Sequence, residues 1–367
     1  MSRLNLLDRW SFLATCILSL LGVLFIRSAT IEQGNVFWFK QCIWICGGLV
    51  IYFVMTGMDY KKMVSHGNHL YLLGVLSLVL VLLFGSKING ARSWFKLPFM
   101  SLQPSEFMKI VTCLVSAKYF SKFQTQKSSL WEFIVSTILI GIPFILIVLQ
   151  PDFGTALVYL PLFVIPNFLT GKKEGIWVTV GGILVVGILM MGVIHKPNWV
   201  FFLKDYQKAR IVSFIYPEED TSNKGYQVHQ SKISIGQGGL FGMGIGQGQQ
   251  THLGFLPAQY NDFILAVAAE ETGFLGIFCI FTLFLVIFLR GIVTALEAGD
   301  AMGSCLVMLV IGTLFTQTLF NASMLIGLAP TTGIPCPLLS YGGSSFLTTM
   351  GLLGLIQSVR AHRFVNH

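Results

Sequence analysis

Long apolar runs separated by short polar interruptions dominate this chain. Runs of roughly 17 to 25 residues with few charges are long enough to cross the hydrocarbon core of a bilayer as helices. Ten such runs are predicted, at about Trp10 to Ile26, Phe37 to Gly57, Leu70 to Gly85, Ser105 to Phe120, Leu130 to Leu149, Gly154 to Leu169, Ile176 to Ile194, Asp262 to Leu289, Met302 to Leu325 and Ser345 to Val359. The fold class that follows is all-α, a polytopic membrane protein with about ten transmembrane helices forming one integral domain over residues 1–367. The rhythm breaks between the seventh and eighth runs, where a large loop occupies about 195–261. Within it, the stretch from Tyr226 to Gly273 is rich in glycine and polar residues and leads straight into an apolar helix. Seven glycines fall between Gly236 and Gly248, too many for a stable helix interior because each admits backbone conformations that other residues avoid. This stretch is expected outside the hydrocarbon or against protein, since unpaired amides cannot face lipid.

Composition agrees with the pattern. Hydrophobic residues make up 54% of the chain and charged residues only 11%, with a mean hydropathy of +0.73, far from a soluble average. The net charge of +8 does not point to nucleic acid, because the basic residues are scattered between apolar runs rather than gathered on one face. Their distribution sets the orientation instead. With a cytoplasmic N-terminus, the short inner segments carry Arg3, Arg9, Lys61, Lys62, Lys118, Lys122, Lys127, Lys172, Lys173, Arg290, Arg360 and Arg363, and the short outer ones only Arg27, Lys40, Lys87, Arg92 and Lys96. Both termini are therefore expected in the cytoplasm. The loop from Ser86 to Pro104, the turn Gln150-Pro151-Asp152, the large loop and the segment from Gly327 to Gly343 then converge on the outer face. Seven cysteines, an odd number mostly inside apolar runs, argue against a disulfide framework. No cleavable signal peptide and no internal repeat are expected.

Ionisable residues at the ends of spanning helices are costly, by roughly 2.5 to 3.5 kcal/mol at a helix centre, and mark candidate sites. Glu106 and Lys109 share a helical face, as a structural ion pair or as a site where Lys109 meets an anionic substrate. Asp152 follows Pro151 at a helix start, where N-capping is the ordinary role. Asp262 opens a long apolar helix beside Ala266 and Ala269, either as another N-cap or as a carboxylate at the edge of a low-dielectric cavity, suited to act as a general base. Glu270 and Glu271, two turns further, are read as helix-packing or loop-anchoring groups. Lys204, Lys208 and Arg210, ahead of the acidic Glu218-Glu219-Asp220 and the glycine-rich loop, could hold a diphosphate with backbone amides completing the site. The glycine spacing fits neither a P-loop nor a dinucleotide fingerprint.

Taken together, Gln103-Pro104-Ser105-Glu106, Gln150-Pro151-Asp152 with Gly154-Thr155, Gln230-Ser231, Gly236 to Gly239, Leu256-Pro257, Asn261-Asp262-Phe263-Ile264, Glu270-Glu271-Gly273 and Gly333-Ile334-Pro335 to Ser344 resemble the SEDS family of shape, elongation, division and sporulation proteins. The resemblance covers nearly the whole chain. The Gly333-Ile334-Pro335 form and the compact termini resemble the rod-shape branch more than the division branch. The sequence departs from the family pattern at Ala258, at Tyr260-Asn261, at Ser93 before Trp94, where Arg92 stands one place earlier, and at Ser101.

The resemblance implies a peptidoglycan glycosyltransferase that polymerises lipid II into β-1,4-linked strands at the outer face of the cytoplasmic membrane during elongation and releases undecaprenyl diphosphate. It implies a class B penicillin-binding protein as transpeptidase partner within the cell-elongation complex, with membrane lipid around it. Asp262 matches the family's catalytic residue. Glu106, Lys109, Arg92, Trp94, Asp152, Arg210, Gln230 and Ser231 are the expected substrate-binding residues. Inversion at the sugar requires a base on the attacking hydroxyl, assigned to Asp262, and charge stabilisation on the departing diphosphate, from Lys109, Arg92 or a divalent ion; such a site suits Mg²⁺ or Mn²⁺ held partly by water. A lipid II flippase would need polar residues running through to the cytoplasmic half, and a scaffold would leave Asp262 replaceable.

Overall fold

Apolar helices that alternate with short polar turns build the computed structural model, which describes residues 7–31, 34, 36–88, 91–96, 101–125, 130–169, 171, 173, 175–182, 184, 214, 224–256 and 259–363. The elements in chain order are α1 (Arg9–Ala29), α2 (Val36–Gly57), α3 (Tyr60–Ser65), α4 (Gly67–Phe84), β1 (Ser86–Ile88), β2 (Ala91–Lys96), β3 (Ser101–Leu102), α5 (Pro104–Thr125), α6 (Leu130–Leu149), α7 (Phe153–Leu157), α8 (Leu160–Leu169), α9 (Lys224–Gly238), α10 (Gln249–His252), α11 (Ile264–Leu296), α12 (Ala301–Leu325) and α13 (Gly343–His362). Helices α1, α2, α4, α11 and α12 are each long and apolar enough to cross a membrane. The protein is a polytopic membrane protein.

The described parts of the predicted spans are helical, with three differences from expectation. The run from Gly154 to Leu169 is two helices, α7 and α8, and Pro166 lies inside the second. The helix that was to begin at Asp262 begins at Ile264 and bends at Gly273, whose φ of 65° and ψ of −164° are not helical. The segment from Ser86 to Pro104, expected as a loop, contains a small antiparallel sheet of order β1-β2-β3. Only residues 176–182 and 184 of the seventh predicted span are described, and they are helical. The seven cysteines are all free, as expected.

The centre of the bundle is α12, which packs against α5, α8, α11 and α13. Small residues set how closely the helices approach, as is usual where lipid supplies no hydrophobic drive between them. A Cβ on Gly48 of α2 would lie 2.8 Å from Phe346 and Met350 of α13, and one on Gly354 would lie 2.7 Å from the Tyr52 carbonyl. The end of the bundle away from Asp262 is held by charge. Asp8 is buried and caps α1 by accepting from the Ser11 amide at 3.0 Å. It also pairs with Arg290 of α11 at 2.5 Å and with Arg360 of α13 at 3.7 Å. Arg290 lies 26 residues beyond Ile264, roughly 40 Å at 1.5 Å per residue. This latch and the Asp262 region therefore occupy opposite ends.

Candidate active site

Four polar segments meet at the other end, and α12 is their common support. Gln317 and Asn321 lie one turn apart on this helix, so their amides project from one face. Asn321 is fully buried. Its Nδ2 donates to the backbone carbonyl of Asp262 at 2.8 Å and to that of Ile334 at 2.6 Å. Gln317 donates through Nε2 to the Pro335 carbonyl at 3.0 Å, and its Oε1 accepts from Lys109 Nζ at 3.4 Å. Two amides thus tie the turn before α11, the loop after α12 and the lysine of α5 to a single helix face.

Asp262 sits in the turn ahead of α11. The N-cap of that helix is Phe263, which makes no side-chain capping bond, and Asp262 stands one residue ahead of the N-cap position. Nor does Asp262 share a helical face with Ala266 and Ala269, because the helix has not yet begun. Its neighbours in the turn are fixed through their carbonyls: Asn261 accepts from the Ser340 hydroxyl at 2.6 Å and Tyr260 from the Tyr341 amide at 2.9 Å. Ring contacts among Phe37, Tyr260 and Tyr341 close this side. The carboxylate lies against Gly333, where an added Cβ would come 3.3 Å from Oδ2 and where φ is +74°. Only glycine holds that backbone without strain and leaves the carboxylate its room.

Glu106 and Lys109 form a buried pair 2.8 Å apart, a contact of charge rather than an aligned hydrogen bond. Desolvating both ions is costly, and removing one partner would cost more than the pair contributes. Asp152 does cap its helix, accepting from the Thr155 amide at 3.2 Å and hydroxyl at 2.9 Å. It also accepts from Gln103 Nε2 at 2.5 Å, which joins the turn before α5 to the turn before α7. Burial pushes the Asp152 carboxyl above its ordinary value; the Thr155 and Gln103 hydrogen bonds pull it back, and the charge of Glu106 adds to the rise. Gly154 completes the contact, since a Cβ there would lie 2.7 Å from the Thr332 carbonyl. At the start of α13, Ser344 accepts from the Gln103 amide at 3.2 Å and donates to the Ser101 carbonyl at 3.0 Å.

Glu106, Lys109, Asp152 and Asp262 therefore belong to one constellation. The other expected residues that are described lie elsewhere. Arg92 is exposed on β2 opposite Lys87, and Trp94 lies partly buried on the same strand opposite Ser86. Gln230 and Ser231 lie on α9, where the Gln230 carbonyl accepts from Ser234 and the Ser231 hydroxyl is fully buried. Arg210, Lys204, Lys208 and Glu218-Glu219-Asp220 lie outside the described residues. Several glycine-rich amides expected to complete an anion site are engaged within the protein. The Met243 and Gly244 amides donate to the Glu270 and Glu271 carbonyls at 2.9 and 3.0 Å, and the Gly246 amide donates to the Glu271 carboxylate at 3.1 Å. Glu270 accepts from the Gln250 amide at 2.7 Å and the Thr251 hydroxyl at 2.8 Å, and Glu271 also accepts from the Ser28 hydroxyl. Both glutamates are loop anchors, as read from the sequence.

A divalent ion does not fit this carboxylate set. Asp152 has both oxygens engaged by hydrogen-bond donors, Glu106 is matched to Lys109, and no cluster of three or more His, Cys, Asp or Glu occurs among the described residues. Sequence reasoning missed Gln317 and Asn321, and had Gly333 only as part of a family motif. Two amides at i and i+4 inside an apolar helix are the signal that would have found the first two.

The family model for cell cycle proteins of the FtsW, RodA and SpoVE kind matches residues 9–364. Peptidoglycan glycosyltransferase MrdB of Escherichia coli strain K12 is 35% identical over 319 residues, covering 87% of this chain and 84% of MrdB. Peptidoglycan glycosyltransferase RodA of Treponema pallidum strain Nichols is 31% identical over 415 residues, covering 94% of this chain and 95% of its own. Among solved structures, a peptidoglycan synthase complex described for its structural coordination of polymerization and crosslinking matches with a TM-score of 0.81 at 26% identity, over 98% of each chain.

Proposed function

This chain belongs to the FtsW, RodA and SpoVE family of cell cycle proteins, and from that premise we propose that it is a peptidoglycan glycosyltransferase that polymerises lipid II with Asp262 as general base. The observation that carries the residue assignment is the placement of Asp262. It is a carboxylate ahead of the N-cap of α11, its backbone held by Asn321, and Gln317 one turn away on α12 holds Lys109. A base and a cation are thereby referred to one rigid helix, the arrangement that positioning catalysis demands.

The reaction joins the 4-hydroxyl of an acceptor sugar to the anomeric carbon of a donor sugar. Asp262 takes the hydroxyl proton as the new C–O bond forms, and the bond to the α-diphosphate breaks with its electron pair on the leaving oxygen. Lys109, buried beside Glu106, meets the growing negative charge in a low dielectric where a charge-assisted contact is strongest. Inversion gives the β-linkage, and undecaprenyl diphosphate leaves along the membrane.

The distribution of lysine and arginine supports an active site on the outer face of the cytoplasmic membrane with both termini inside. The likeness to a synthase complex that couples polymerization to crosslinking supports a class B penicillin-binding protein as partner. The relatives MrdB and RodA, both named peptidoglycan glycosyltransferases, support that activity. The deciding experiment incubates the purified protein, with its transpeptidase partner, with lipid II and resolves glycan polymer on a gel. Asp262→Asn keeps the side-chain shape but cannot accept the proton, so it is expected to insert, fold and form no polymer. Full activity in that variant would remove the assignment.

A further inference from the structure

We infer that the glycine-rich loop, residues 239–255, is a membrane-seated element that completes a broken spanning helix and presents Leu240, Phe241 and Ile245 to the acyl chains of the leaflet on the Asp262 side. The inference starts at the bend in α11. At Gly273 the helical ladder fails, so the Phe274 and Leu275 amides no longer reach the Glu270 and Glu271 carbonyls. Each of those four groups is instead matched by the loop. Phe274 donates to the Gly239 carbonyl at 2.9 Å and Leu275 to the Leu240 carbonyl at 3.2 Å, while the Glu270 and Glu271 carbonyls accept from Met243 and Gly244. Two helical hydrogen bonds are replaced by four bonds to the loop.

The glycines permit this approach. A Cβ on Gly242 would lie 2.2 Å from the Glu271 carbonyl, and one on Gly273 would lie 2.3 Å from the Gly242 amide. With these backbone groups paired inward, the loop meets the condition that admits non-helical backbone at membrane depth. Large apolar side chains stand on its outward face, with Leu240 64% exposed, Phe241 79% and Ile245 59%, beside the exposed Gln247 and Gln249. From Gly239 to Leu256 there is no Asp, Glu, Lys or Arg, and the ring of His252 is tied to the Gly246 carbonyl at 2.6 Å.

What covers that face follows from continuity with the spanning helix. Leu240 is bonded through its carbonyl to Leu275, and the next residues outward on α11 are Phe274 and Phe278, exposed by 61% and 60% and stacked on each other. On the other side, Gly246 abuts Ile31, itself exposed just beyond α1. The exposed apolar residues of the loop thus continue the apolar surface of α11 and α1. Asp262 is referred to the same depth. Thr251 is bound by Glu270, and Gln259, three residues before Asp262, donates to the Thr251 and Ala29 carbonyls at 3.1 and 2.7 Å.

The test places p-benzoylphenylalanine, one position at a time, at Phe241, Ile245, Phe278 and Lys232 in the full chain. Each variant is reconstituted in vesicles of phosphatidylethanolamine and phosphatidylglycerol, irradiated and weighed intact by mass spectrometry. Phospholipid adducts are expected at positions 241 and 245 with yields close to that at 278, and at least five-fold below them at 232. An adduct at 278 with none at 241 or 245 would overturn the inference, as would crosslinking of 241 to a second polypeptide in place of lipid. Phe241 and Ile245 point away from the packed interior, so the probe leaves the fold intact; size-exclusion chromatography checks this.

Discussion

At the scale of single residues, Asn321 does more than any other side chain to define the site. One buried amide satisfies two carbonyls from segments 72 residues apart, at Asp262 and Ile334. Asn321→Leu removes both donors at nearly constant volume. Each orphaned carbonyl costs about 1 to 3 kcal/mol, so a clear fall in melting temperature is expected together with loss of polymerisation. Thermal unfolding in detergent and a lipid II assay measure the two effects. The Glu106 and Lys109 pair separates structure from chemistry in another way. Glu106→Gln or Lys109→Met alone leaves a buried charge without its partner and is expected to destabilise the protein by roughly 3 to 5 kcal/mol. The double variant removes both charges and is expected to recover much of that stability while remaining inactive, because the leaving diphosphate has lost its cation. A stable double variant with near-normal polymerisation would reduce the pair to scaffolding.

At the scale of elements, α11 and its loop form one unit. Gly242 has a φ of +79° and no room for a Cβ beside the Glu271 carbonyl. Gly242→Ala therefore combines left-handed strain of roughly 1 to 2 kcal/mol with a backbone clash, and a lowered melting temperature is expected. Gly141, inside α6, supplies the contrast: nothing lies within 4 Å of its added Cβ and its φ is ordinary. Gly141→Ala should be neutral or stabilising by up to about 1 kcal/mol. If both variants unfold at the same temperature, the loop is not locked to α11 in the way described.

The whole molecule is polarised, with charge pairs latching one end and hydrogen-bonded amides organising the other. Orientation in the membrane is testable directly. In a background lacking the seven native cysteines, a cysteine at Ser222 should react with an impermeant thiol reagent added outside intact cells, and one at Ser128 should not. The reverse labelling would put the Asp262 end in the cytoplasm.

What the sequence by itself determined is whatever depends on local pattern. The spanning helices follow from apolar runs of sufficient length, the capping role of Asp152 from its place after Pro151 at a helix start, and the pairing of Glu106 with Lys109 from a spacing of three on one helix. The anchoring role of Glu270 and Glu271 was legible because two carboxylates inside an apolar helix require partners. The family motifs likewise drew attention to Asp262. The tertiary structure alone decided the rest. Whether Asp262 caps α11 turned on a start two residues later, at Ile264. Whether glycine-rich amides were available for phosphate turned on the bend at Gly273, which left helix carbonyls that those amides satisfy. The support given by Gln317 and Asn321 turned on which of the many faces of an apolar helix meets segments more than 200 residues away, as at Lys109. Hydropathy is a property of neighbours in the chain, whereas a buried hydrogen bond is a property of neighbours in space, and only the folded bundle brings those together.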